Sequence, residues 1–228
     1  MGERNILLLL LLLLLSFSGT QSHTNLDGKV FVFPAPSVTS YVLLKPTLED
    51  LLRQLTVCVS FYTDLTRPFS LFSAASQQHD NEILLFKHSP TEYHISVGGQ
   101  SLAFSVTDNA YKSIRQWETV CMTWDSVTGI VQLWQDGQPL PRKGAAKGYR
   151  IKKDLVFILG QDQDSLGGSF DAKQSFVGEM ADLYMWDTVL PPEYLRSLRR
   201  DSVPTPLLDW KSLEFEVKGN VVTECALQ

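Results

Sequence analysis

Thr56-Val57-Cys58-Val59-Ser60-Phe61 and Thr119-Val120-Cys121-Met122-Thr123-Trp124 decide the fold. Each is a short run of β-branched and aromatic residues, the composition of a strand on a pleated, half-buried surface, and each carries a cysteine at its third position. Working outward, runs of the same kind cover 29–33, 56–62, 82–86, 93–97, 102–106 and 120–124, then 130–134, 156–159, 176–186 and 215–217. Turn residues break them at the intervals that suit an all-β, two-sheet sandwich. Asp136-Gly137 reads as a tight hairpin, because both residues can take positive φ. One stretch, 191–200, reads as a helix: proline opens it, Glu193 stands near its start, Arg199 and Arg200 near its end, and Leu195 and Leu198 share one side. There is no internal repeat and no linker-like stretch, so residues 23–228 are read as one domain.

The first 22 residues have the three parts of a secretory signal peptide. Arg4 is followed by an apolar run over 6–15, too short to span a bilayer, and then by small and polar residues up to Ser22. Cleavage after Ser22 would leave His23 first, with Ser18 the other candidate, and no later segment reaches transmembrane length, so the protein is expected to be secreted and extracellular. Three cysteines in an exported chain imply one disulfide and one odd thiol. The two in strand-like segments, Cys58 and Cys121, are paired, a closure that stabilises by about 4 kcal/mol in the chain-entropy model. Cys225 is left over, as a buried or capped thiol or as an interchain link. Asn25, Asn81, Asn109 and Asn220 all miss the glycosylation pattern. A net charge of -5 argues against a protein built mainly to grip polyanions. The basic cluster of Arg142, Lys143, Lys147, Arg150, Lys152 and Lys153 reads as a solvated loop, or alternatively as a heparin-like contact. Tyr149 alone among aromatics lies close, which suits base stacking poorly.

The chemistry concentrates in Gln161-Asp162-Gln163-Asp164-Ser165-Leu166-Gly167-Gly168-Ser169-Phe170-Asp171-Ala172-Lys173-Gln174. Carboxylate and amide oxygens crowd a glycine-containing loop, and calcium takes six to eight such oxygens at about 2.3–2.6 Å. On composition alone an ordinary polar loop is the better account, because Asp and Gly are common loop residues. An EF-hand does not fit, because from Asp162 the fifth position is Leu166 and the twelfth is Lys173. Asp80-Asn81, just before the apolar run of 83–86, offers a second pair of oxygens or an ordinary turn.

Asp80-Asn81-Glu82-Ile83-Leu84, the segment from Thr119 to Ser126, Leu159-Gly160-Gln161-Asp162-Gln163-Asp164-Ser165, Ser175-Phe176-Val177-Gly178-Glu179 and Met185-Trp186-Asp187 together resemble the short pentraxin family. The resemblance runs from about residue 29 to about residue 222. It implies a flattened jelly roll with two adjacent calcium ions on one face, assembled as a cyclic homopentamer. By motif, one ion is expected on Asp80, Asn81, Asp162, Asp164 and the Gln163 carbonyl, and the second on Asp162, Asp164, Asp171 and Gln174. It also implies a non-enzymatic pattern-recognition protein of innate immunity and the acute phase. Its ligands would be phosphate-bearing, such as phosphocholine or phosphoethanolamine, or carbohydrate, and its effector partners would include complement and immunoglobulin receptors.

The departures from that family are as informative. Asp162 stands where the family has glutamate, one methylene longer, and Thr119 stands where it has histidine. Phe86 falls where the family sets an aromatic against the ligand's organic group, a contact with a cation–π component, and is equally readable as core. Ser96 falls where the family shapes a small hydrophobic pocket. Ser101 falls where a choline-binding member carries a glutamate, so that charge is absent. Two rival readings stand beside it. A jelly-roll glycosidase needs Glu-x-Asp-x-x-Glu, and Asp162-Gln163-Asp164-Ser165-Leu166-Gly167 lacks the third acid. A calcium-independent interaction module of the same shape is the other. His23, His79, His88 and His94 read as scattered, with no ligand role.

Overall fold

Cys58 and Cys121 face each other across two neighbouring antiparallel strands and form a disulfide, as the sequence predicts. The computed structural model describes residues 25–106, 116–197 and 204–226. The signal-peptide segment of 1–22 lies outside them. In chain order the strands are β1 (Lys29–Phe33), β2 (Tyr41–Leu44), β3 (Gln54–Tyr62), β4 (Phe69–Ala75), β5 (Ile83–Ser89), β6 (Glu92–Val97), β7 (Gln100–Ser105) and β8 (Glu118–Asp125). They continue as β9 (Ile130–Gln135), β10 (Gln138–Pro139), β11 (Lys143–Gly144), β12 (Val156–Leu159), β13 (Gly178–Trp186), β14 (Leu208–Asp209), β15 (Phe215–Lys218) and β16 (Val222–Cys225). One sheet runs β10-β9-β8-β3-β13-β1-β16, with β11 on β9 and β14 on β13; the other runs β15-β2-β12-β4-β5-β6-β7. Among the described residues every pairing of these strands is antiparallel. The two-sheet, all-β expectation therefore holds.

The inner faces meet over a core of aromatics and branched aliphatics that includes Phe31, Phe33, Phe72, Trp124, Phe157 and Trp186. One polar tie crosses it: Lys87 of β5 donates to both Glu118 oxygens on β8 at 3.0 Å and to the Tyr93 hydroxyl at 2.9 Å, while Tyr93 donates to Glu118. A buried charge needs such partners on all sides.

Ten of the sixteen strands overlap runs read in the sequence, and the hairpin does too: Asp136 and Gly137 have φ of 47° and 76°. Three corrections concern extents. Helix α1 begins at Pro192, one residue later than read, and is described as far as Ser197, with Leu195 buried; 198–200 lie outside the described residues. The run of 82–86 begins at Ile83 and continues to Ser89, because a bulge between Lys87 and Ser89 keeps the chain extended through polar residues. The run of 102–106 becomes β7, Gln100–Ser105, since tight pairing with β6 starts at Gln100.

Candidate functional site

The Asp162 loop is held at its neck. Gly160 ends β12 at φ +83°, where a Cβ would come within 2.4 Å of the Phe33 ring, so only glycine fits. The Phe176 amide donates back to the Gly160 carbonyl at 2.9 Å, which closes residues 161–175 into one loop. From there the chain lies against the outer face of the seven-stranded sheet. Gln163, fully buried, donates from Nε2 to the Ser73 carbonyl, the Ser73 hydroxyl and the Val156 carbonyl at 3.0–3.2 Å, and its Oε1 accepts from Gly167. The side chain is spent on anchoring. What Gln163 has left for a cation is its main-chain carbonyl, the atom the resemblance implied.

The second oxygen pair is set by different residues. The Ser76 hydroxyl accepts from the amides of Gln78 and His79, and donates to Glu82 at 2.7 Å. Asn81 donates its amide to the Asp80 carboxylate at 2.8 Å. Glu82 is 1% exposed, and burial together with this nearby carboxylate pushes the Tyr149 phenol up to about 12. Glu82 thus organises the turn that presents Asp80 and Asn81. The sequence carried a signal for it, an acid opening the apolar run Ile83-Leu84-Leu85-Phe86, which has to be buried and therefore partnered.

These two segments and the return of the loop meet. Burial pushes Asp162 up to about 7, and the charges of Asp164 and Asp80 add to it. Asp164 is also raised, by burial and then by Asp80 and Asp171. Four carboxylates predicted from two separate stretches, Asp80 from one and Asp162, Asp164 and Asp171 from the other, are therefore close enough to repel one another. Asn81 Oδ1, Asp162 Oδ1 and Gln174 Oε1 are buried without any hydrogen-bond partner. Orphaned oxygens and mutually repelling acids in one place fit a hard cation, which wants oxygen donors and negative charge. No three of these acids bring oxygens within 4.8 Å of one another. Arg67, which the sequence did not flag, sits beside Asp171 and donates to the carbonyls of Pro68 and Lys173.

The organic half of the predicted site is on the same sheet face. Strand pairing sets Ile158, Ser73, Leu84, Ser96 and Ser101 in one row, and Phe86, His94 and Ala103 in the neighbouring row. Phe86 is 6% exposed yet stands outside the contiguous core, which takes Ile83 and Leu85 from the same strand. Phe86 therefore faces away from the core, on the outer side of the sheet. Ser96 is buried and Ser101 is exposed. The histidines are not scattered as read. His79 packs by Tyr149, but His88 and His94 stack at 4.3 Å, brought together by the β5–β6 pairing, which local sequence does not display. Cys225, in β16, is a free and exposed thiol, and so not a buried one. The six basic residues of the 142–153 cluster are all exposed, with Lys143 laid over the Phe104 ring.

Two antiparallel sheets with an acidic, oxygen-rich loop laid over one outer face define a jelly-roll recognition domain. The chain belongs to the pentraxin family, since the Pentaxin family model matches residues 29–225. It is 43% identical to serum amyloid P-component of Homo sapiens over 202 residues, covering 88% of this chain and 89% of that protein. It is 44% identical to mucosal pentraxin of Bos taurus over 200 residues, covering 88% and 89%, and 41% identical to C-reactive protein of Homo sapiens over 220, covering 95% and 96%. In fold it is similar to a heptameric pentraxin, like serum amyloid P, from Limulus polyphemus, at a TM-score of 0.78 and 23% identity, covering 90% of this chain and all of that one. Members of this family are non-enzymatic pattern-recognition proteins of innate immunity, and the family binds calcium. These relatives are secreted, and among the described residues no helix is long and apolar enough to cross a membrane.

Proposed function

We propose that this pentraxin binds phosphate-bearing ligands through two calcium ions per chain. Asp80, Asn81, Asp162, Asp164 and the Gln163 carbonyl would hold one ion, and Asp162, Asp164, Asp171 and Gln174 the other. The observation that carries this reading is the trio of buried, unpartnered oxygens on Asn81, Asp162 and Gln174 beside mutually repelling acids. When bound, the ions supply positive charge and open coordination positions for a phosphate oxygen. The protein's part is positional: Gly160 and Gln163 fix the loop on the sheet, and Ser76 and Glu82 fix the Asp80 turn. Phe86 and Ser96 would meet the organic group, and with serine at 101 no charge selects choline. The phosphate therefore dominates recognition, and phosphoethanolamine should bind at least as well as phosphocholine. Rings of five chains would present these faces on one side of the assembly.

Retention of the secreted protein on phosphoethanolamine and phosphocholine beads, in calcium and in chelator, tests this. Retention in calcium and release by chelator are expected for both beads, with Asp162→Ala failing to bind. Equal retention in chelator would contradict the calcium-bridged mechanism and favour a calcium-independent module.

A further inference from the structure

The geometry points to a second cation site, separate from the acidic loop, in which His88, Glu92 and His94 hold a borderline divalent metal, zinc in the first place. Among the described residues these three form the one group of histidine, cysteine and acidic side chains whose ligand atoms all lie within 4.8 Å of one another. The fold explains why they meet. Glu92 and His94 are two apart on β6 and so share a face. His88 comes from the adjoining β5, at the bulge between Lys87 and Ser89 that re-aims its side chain beside theirs.

Donor chemistry separates this site from the calcium loop. Two imidazoles and one carboxylate suit zinc, copper or nickel, whereas calcium prefers oxygen alone. Three protein ligands leave a fourth position of a tetrahedral ion open to water or to an added ligand. The side chains are already poised. The His88 and His94 rings stack at 4.3 Å, 9° from parallel, and His94 Nε2 is 2.7 Å from Glu92 Oε1. Coordination requires the two rings to splay and the His94–Glu92 contact to open around the ion. Both moves are rotations of side chains near the surface, His88 being exposed and the His94 side chain 31% exposed. The backbone frame, paired from Ile83–Val97 to Ser89–Glu92, stays in place.

Calorimetric titration of the secreted protein with zinc chloride, in saturating calcium, tests the site. Calcium blocks the acidic loop, so one further zinc per chain is expected. His88→Ala combined with His94→Ala should weaken zinc by at least about tenfold, the scale on which metal sites respond to losses in their immediate surroundings. Calcium affinity and the far-ultraviolet spectrum should not change, which shows that the variant folds. Cobalt in place of zinc should give visible absorption in the wild type and none in the variant. No saturable zinc binding in calcium, or an isotherm indifferent to the double substitution, overturns the assignment.

Discussion

Asp162 is where charge and burial conflict most. Its carboxyl is raised from 3.8 to about 7 in the calcium-free fold, first by burial and then by Asp164 and Asp80. Between these two values the folded chain keeps a proton that the unfolded chain has released, so calcium-free stability falls as pH rises through the window. At 1.36 kcal/mol per unit the loss reaches about 4 kcal/mol by pH 8, an upper bound. In chelator, Asp162→Asn should therefore melt higher than the wild type at pH 8, with the gap closing toward pH 5; thermal melts at both values check this. Ser101 carries a second expectation. Ser101→Glu places a carboxylate on the exposed β7 face, and should raise affinity for phosphocholine and for phosphoethanolamine alike by about 2- to 5-fold over wild type, the worth of one solvent-exposed ion pair to a positive nitrogen. Titration of each ligand against wild type and variant measures it. At this scale the proposed ligands Asp80, Asn81, Asp164, Asp171 and Gln174 were legible because they recur in a family pattern. Arg67 was not, because nothing near it in sequence marks a contact with Asp171, and the Gln163 side chain was not, because its partners are Ser73 and Val156.

Between residues and fold, the elements that position the site were the hardest to read. Strand β4, Phe-Ser-Leu-Phe-Ser-Ala-Ala, is buried at every position, since the core covers one face and the Gln163 loop reaches Ser73 on the other. Burial on both faces erases the alternation that marks a half-exposed strand, and its serines look like turn residues. Strand β2 has only four residues, and β16, at a sheet edge, is half exposed. Strand β12 was legible over 156–159, because Gly160 cuts it off sharply. That glycine also yields a prediction. Gly160→Ala places a Cβ at 2.4 Å from the Phe33 ring at a φ of +83°, so it should destabilise by about 2–4 kcal/mol. Urea denaturation measures the loss, and calcium affinity should fall with it, because the loop's neck is what moves.

For the whole molecule, the regular spacing of aromatic and β-branched runs carried the all-β sandwich. The strand order did not follow from it, because β3 reaches β13 and β1 reaches β16 across most of the chain. The cysteine pair was legible because two strands of matching pattern each held one. Its 63-residue separation should make Cys58→Ala with Cys121→Ala cost about 4 kcal/mol in chemical denaturation, chiefly by freeing the unfolded chain. Above all of this stands the claim that the acids and orphaned oxygens over the outer sheet are a calcium site. Calorimetric titration of the chelator-stripped protein with calcium at pH 7.5 tests it most directly. Two ions per chain are expected, with binding lost in Asp162→Ala and weakened as the pH is lowered through about 7. No heat up to millimolar calcium, or a wild-type isotherm retained in Asp162→Ala, would contradict it.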